Sequence, residues 1–110
     1  MLKKGPGKGN ILDIMSFENE KGEQFRTVFA SSNVEIEQIA SFGAPTPEGE
    51  WYDQDWNEWV LVVKGTAELA FTDRPAAMLE QGDYLLLEKH VRHRVSYASE
   101  DCIWLAVHIK

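Results

Sequence analysis

One cysteine, Cys102, stands in a chain of 110 residues. That excludes an intramolecular disulfide and fits a reducing compartment. Cys102 itself reads as a small hydrophobe within a strand. Long apolar runs are missing too, and none approaches the roughly 18 residues that cross a membrane as a helix. No apolar stretch of signal-peptide length follows the basic, glycine-rich start MLKKGPGKGN, so a cytoplasmic protein with no membrane partner is expected. Basic charge is scarce: eleven Lys and Arg stand against eighteen Asp and Glu, for a net charge of -7. With no basic stripe to meet phosphates, a nucleic-acid partner is not expected. There is no Ser/His/Asp order, no glycine-rich phosphate loop and no CxxC pair. Covalent hydrolase, nucleotide-binding and zinc-ribbon readings therefore have no support.

What the chain does have is concentrated in residues 51–65, WYDQDWNEWVLVVKG. The first half crowds together Trp51, Tyr52, Asp53, Gln54, Asp55, Trp56 and Glu58. The second half is an apolar run, residues 59–63, closed by Lys64 and Gly65. A short β-branched run ending in a glycine turn reads as a strand buried on both faces. Glu58 lies at its mouth, where rigid backbone meets a polar loop and sites are commonly built.

Residues 1–9 read as a flexible tail and residues 10–110 as a single domain, a length that buries a core without staples. Residues 10–15, NILDIM, are expected to form a short edge strand. Between residues 22 and 31, Phe25, Val28 and Phe29 fall at i, i+3 and i+4, which predicts a short helix. Residues 34–42 alternate apolar and polar and read as a half-buried strand. Gly43, Pro45, Pro47 and Gly49 make a turn-rich bridge. Further strands are expected over residues 66–71, 76–79, 84–87, 91–97 and 102–109, divided by turns at 72–75, 81–83 and 99–101. About eight short strands, with at most one short N-terminal helix, suggest an all-β antiparallel barrel or sandwich.

Two stretches then resemble one family, the cupins. Their first motif ends in a Glu, six residues and a Gly; here these are Glu58, WVLVVK and Gly65. Their second begins with Gly, passes through a strand and turn, and reaches a His before an apolar strand. GDYLLLEKHVRHRV, residues 82–95, is similar to it, with His93 in the His position. The resemblance implies a double-stranded β-helix (jelly-roll) barrel, often a homodimer, with its site inside. It also implies a divalent metal (Fe, Mn, Ni or Zn) held by an HxH pair, the Glu and the second-motif His. Glu58 and His93 match by position, and the HxH does not. Its places fall on Tyr52 and Gln54 with the shorter spacing, or on Trp51 and Asp53 with the longer one. Glu88 and His90 stand where Pro and Gly are expected.

The candidate metal ligands are therefore Glu58, His93 and Gln54, with Tyr52, His90 and His108 as supplements. Tyr52, Gln54, Trp51 and Asp53 are candidates for holding a small-molecule ligand. Alternation also places Asp53 and Asp55 on one side of an extended segment, as an acid–base pair or as solvated loop acids. Trp51, Trp56 and Trp59 line a pocket or fill the core, with Trp59 expected in the core. Arg92 and Arg94 flank His93 as surface or interface charges. Two functions follow. One is a metal-dependent oxygenase or isomerase acting on a small polar molecule, and the other is a metal-free module binding a sugar-like or acid-like molecule. A third reading is a barrel that is merely filled.

Overall fold

In a computed structural model, which describes residues 7–14, 17 and 22–110, every regular element is a β-strand. The strands are β1 (Gln24–Ala30), β2 (Val34–Ala40), β3 (Asn57–Lys64), β4 (Ala67–Phe71), β5 (Ala77–Leu79), β6 (Tyr84–Leu87), β7 (His93–Ala98) and β8 (Ile103–Ile109). They form a five-stranded sheet in the order β1-β2-β8-β3-β6 and a three-stranded sheet in the order β5-β4-β7. All the pairings are antiparallel. The two sheets close as a jelly roll, with Val60, Val62, Leu69, Leu79, Leu87, Val95 and Trp104 in one buried cluster. Burying each such side chain contributes about 1.5–3 kcal/mol relative to leaving it exposed. No helix among the described residues is long and apolar enough to cross a membrane.

Two expected elements are corrected. The helix over residues 22–31 is strand β1, and the reason is a bulge. Thr27 faces Glu37, but Phe29 already faces Ile36, so Val28 is an extra residue. Parity slips there, and Phe29 lands on the opposite face from Phe25, which produces an i, i+3, i+4 spacing without a helix. The edge strand expected over residues 10–15 is not formed at Asn10–Ile14, where the chain makes a turn at Ile11 and Leu12. Met15 lies outside the described residues, as do residues 1–6 of the expected tail. The turn is anchored all the same: Gln38 Nε2 donates to the carbonyls of Ile11 and Asp13 at 2.6 and 2.9 Å. That contact leaves Gln38, on the outer face of β2, 1% exposed.

Strand β3 sits between β8 and β6. Its inner residues Glu58, Val60 and Val62 are buried, whereas Trp59, Leu61 and Val63 are half-buried. The expectation of burial on both faces is therefore corrected, and so is the expectation of Trp59 in the core. On the outer face, Trp59 is tilted against Tyr84 of β6 at 5.5 Å between ring centroids. The strand ends at Gly65 for a steric reason. Its φ is +83°, and a Cβ there would lie 2.5 Å from Ser99 Oγ and 2.9 Å from Cys102 Cα. Only glycine fits that conformation and that approach.

Candidate functional site

A cavity of about 290 Å³ opens inside the barrel. Alternation along extended chain decides which residues reach it. From the approach to β3 come Tyr52, Gln54, Trp56, Glu58 and Val60; from β2 come Glu35, Glu37 and Ile39; from β8 and its end come Trp104, His108 and Lys110. His93 enters from the start of β7, and Glu23 and Phe25 from the start of β1. Tyr52 and His93 exchange backbone hydrogen bonds of 2.8 and 3.1 Å. Their rings stack at 5.5 Å, which fixes the first-motif segment against the second-motif histidine.

Of the two spacings considered for the missing HxH, the shorter one, Tyr52 and Gln54, faces the cavity. Trp51 and Asp53 are not among the residues that line it. Trp51 lies against the guanidinium groups of Arg92 and Arg94, each 5.9 Å from its ring. Asp53 joins His90 on the outside, with Nδ1 2.9 Å from Asp53 and Nε2 3.3 Å from Asp55. His90 is therefore an exposed clasp rather than an inward ligand, and its backbone takes a positive φ of 65°. The Asp53 hydrogen bond, with the charges of Asp53 and Asp55, raises its pKa above the ordinary histidine value.

Donor and acceptor roles inside the cavity follow from the chemistry of each partner. Gln54 Nε2 donates to Glu58 Oε1 at 2.8 Å, which leaves the Gln54 amide oxygen available as an acceptor. His93 Nδ1 lies 2.9 Å from the Val91 carbonyl. A carbonyl only accepts, so Nδ1 carries the hydrogen and Nε2 of the neutral ring keeps a bare lone pair. Trp56 Nε1 donates to His108 Nδ1 at 2.8 Å, and His108 Nε2 faces Glu37 Oε1 at 2.8 Å. Both nitrogens of His108 are thus engaged. Among the described residues, Nε2 of His93, the second oxygen of Glu58 and the Gln54 amide oxygen have no hydrogen-bond partner. All three accept.

Residues outside any motif complete the wall. Burial pushes the Glu23 carboxyl up to about 7; the nearby charge of Glu58 adds to this, and the Ser41 hydroxyl opposes it. Burial also raises Tyr52, with Glu23, Glu58, Glu50 and Glu37 adding to it. Burial pushes the Cys102 thiol up to about 11, which keeps it an unreactive hydrophobe. Glu23, Glu35, Glu37 and Lys110 were not legible as site residues. The alternation in VEIEQIA separates Glu35 and Glu37 from Ile36 and Gln38, yet nothing in it says that the glutamates turn inward.

A divalent metal, implied by the resemblance, meets a donor set that does not fit it. His108 would have to give up Trp56 or Glu37, Glu58 already accepts from Gln54, and His90 lies outside. Only one imidazole nitrogen is open, and no group of three His, Cys, Asp or Glu side chains placed to hold a metal occurs among the described residues. A first-row metal would meet one imidazole nitrogen, one carboxylate oxygen and one amide oxygen, a set with a single nitrogen donor where these metals take several.

Known proteins can now be set beside this geometry. Among solved structures, a Ralstonia eutropha protein provisionally assigned as a mannose-6-phosphate isomerase is 32% identical with a TM-score of 0.86; 96% of this chain and 99% of that one are covered. A cupin-superfamily protein from Desulfitobacterium hafniense shares the fold at a TM-score of 0.72, with 18% identity over 99% of this chain and 97% of that one. A cupin-2 domain protein from Shewanella frigidimarina does so at 0.69, with 20% identity over 92% and 93%. No curated protein matches the sequence. The family profile described as a cupin domain matches residues 43–108, the span that holds Tyr52, Gln54, Glu58, His93 and His108, and this chain belongs to the cupin family.

Proposed function

We propose that the chain is a small-molecule binding module that works without a resident metal, with residues 10–110 as one unit. The observation that carries this reading is the set of open acceptors on Glu58, Gln54 and His93, facing a cavity with apolar and aromatic walls. A few placed polar groups in an otherwise apolar cleft are what small-molecule sites offer. The activity in the Ralstonia protein's name does not carry over readily. A phosphorylated sugar needs a cationic seat, and Lys110, the one cation among the described residues that line this cavity, already pairs with Glu35 at 3.2 Å.

Elemental analysis of protein purified without tag or chelator tests the metal-free part. Well below one metal per chain, with no uptake of added zinc, iron, manganese or nickel, is expected. Near-stoichiometric metal that is lost in both Glu58→Gln and His93→Ala would overturn the reading and restore a metal-dependent enzyme. Glu23 favours a second reading, proton transfer to a bound molecule, because a carboxyl titrating near neutrality serves as general acid and base. The free edge of β1, with Val28 and Phe29 more than half exposed, supports a homodimer, which sedimentation analysis would test.

A further inference from the structure

The cavity is one-sided both in charge and in hydrogen-bonding sense. Among the described residues, four carboxyls line it, Glu23, Glu35, Glu37 and Glu58, against one ammonium, Lys110. Lys110 answers Glu35, whereas among the described residues Glu37 accepts from the His108 imidazole and Glu58 from the Gln54 amide. Glu58 and His93 are 7% and 5% exposed, and each keeps an acceptor without a partner among the described residues. Those acceptors face the cavity rather than being sealed away from it, and a second anion placed against the carboxyls there would be repelled. Three open acceptors on three side chains match a group with three N–H donors and a positive charge. The aromatic walls suit the same group. Lys110 Nζ already sits 4.9 Å from the centre of the Trp56 ring, so that ring serves as a seat for an ammonium.

We propose that this cavity selects a small organic cation, a primary amine whose ammonium is held by Glu58, Gln54 and His93 and whose apolar body lies among Phe25, Trp56 and Trp104. The proposal rests on the reading of the cavity as a ligand site, and it names the ligand's chemistry. Titration calorimetry of the untagged, chelator-dialysed chain would use three probes of equal shape: benzylamine, benzyl alcohol and benzoate. Mannose and mannose 6-phosphate would serve as sugar probes. Benzylamine should bind at least about tenfold more tightly than benzyl alcohol, with benzoate and mannose 6-phosphate undetectable. Glu58→Gln keeps the shape and removes the charge, so it should erase the preference for the amine over benzyl alcohol. Glu37→Gln should weaken the amine by a smaller factor. If benzyl alcohol, benzoate or either sugar binds as well as the amine, the cation proposal falls and the cavity remains a ligand site. If no probe binds, both fall.

Discussion

Two histidines face carboxylates from opposite sides of the segment that leads into β3. Inside the barrel, His108 is held between the Trp56 indole and Glu37, with 10% of its side chain exposed. Outside, His90 lies between Asp53 and Asp55, with 61% exposed. The residues involved are of the same kind, and Asp53, Asp55 and Trp56 are close neighbours in sequence. Burial makes the difference. The indole can only donate and the carboxylate can only accept, so the two partners hold the His108 ring in one orientation. The His90 ring is held by Asp53 and Asp55 alone, at the surface, where water competes for both contacts. The inner pair is therefore structural, and the outer one is a titratable clasp between the two motif loops.

The comparison would break if His108→Leu cost no more stability than His90→Ala. The inner substitution leaves the Trp56 N–H and the Glu37 carboxylate without partners, and urea denaturation should show a loss of about 2–4 kcal/mol. Next in size is Glu23. Its folded pKa of about 7 lies above the ordinary 4.5, so its contribution is fully present below pH 4.5 and is lost as pH rises through 7. Glu23→Gln should flatten that slope and raise stability at pH 8 by on the order of 2 kcal/mol, read from denaturation curves at pH 5 and pH 8.

Trp56→Phe sharpens the comparison by removing a single hydrogen bond while keeping a ring. A loss of about 1 kcal/mol is expected in denaturation, and NMR should still find the Nε2–H tautomer of His108, since the Glu37 carboxylate can only accept. The smallest effect belongs to His90→Ala, whose stability change should fall within the noise of denaturation. The clasp shows instead in titration. His90 should titrate above the ordinary 6.5, since the Asp53 bond holds its proton, and its stabilisation is present below that pH and lost as pH rises past the raised value. Asp53→Asn or high salt should bring the NMR midpoint back toward 6.5. An unmoved midpoint would mean that the clasp does not form in solution.

Much of this was legible along the chain. Seven of the eight strands follow from alternation and turn residues, because side chains on a pleated strand alternate and Gly, Pro and Asp close the runs. Glu58, Gly65 and His93 stood out because two motifs hold them at fixed spacing. The parity of Tyr52 and Gln54 was open to two spacings, and only the bridge between Tyr52 and His93 settled it. Strand β1 was misread because a bulge disguises period 2 as a helical repeat. Ionic partners were out of reach: Glu37 and His108 lie 71 positions apart and meet only because β2 and β8 pair in one register.

The sequence by itself determined an all-β chain with a carboxylate and a histidine at two strand mouths. Local geometry imposes that pattern, and two short motifs carry it. Tertiary structure decided which face of each strand turned inward, that Glu23 and Glu37 joined the wall, and that His108 was already engaged while His93 kept a lone pair. Those outcomes depend on the closure of one sheet over the other, which brings together side chains that no local spacing relates and removes from them the water that would otherwise satisfy each one alone.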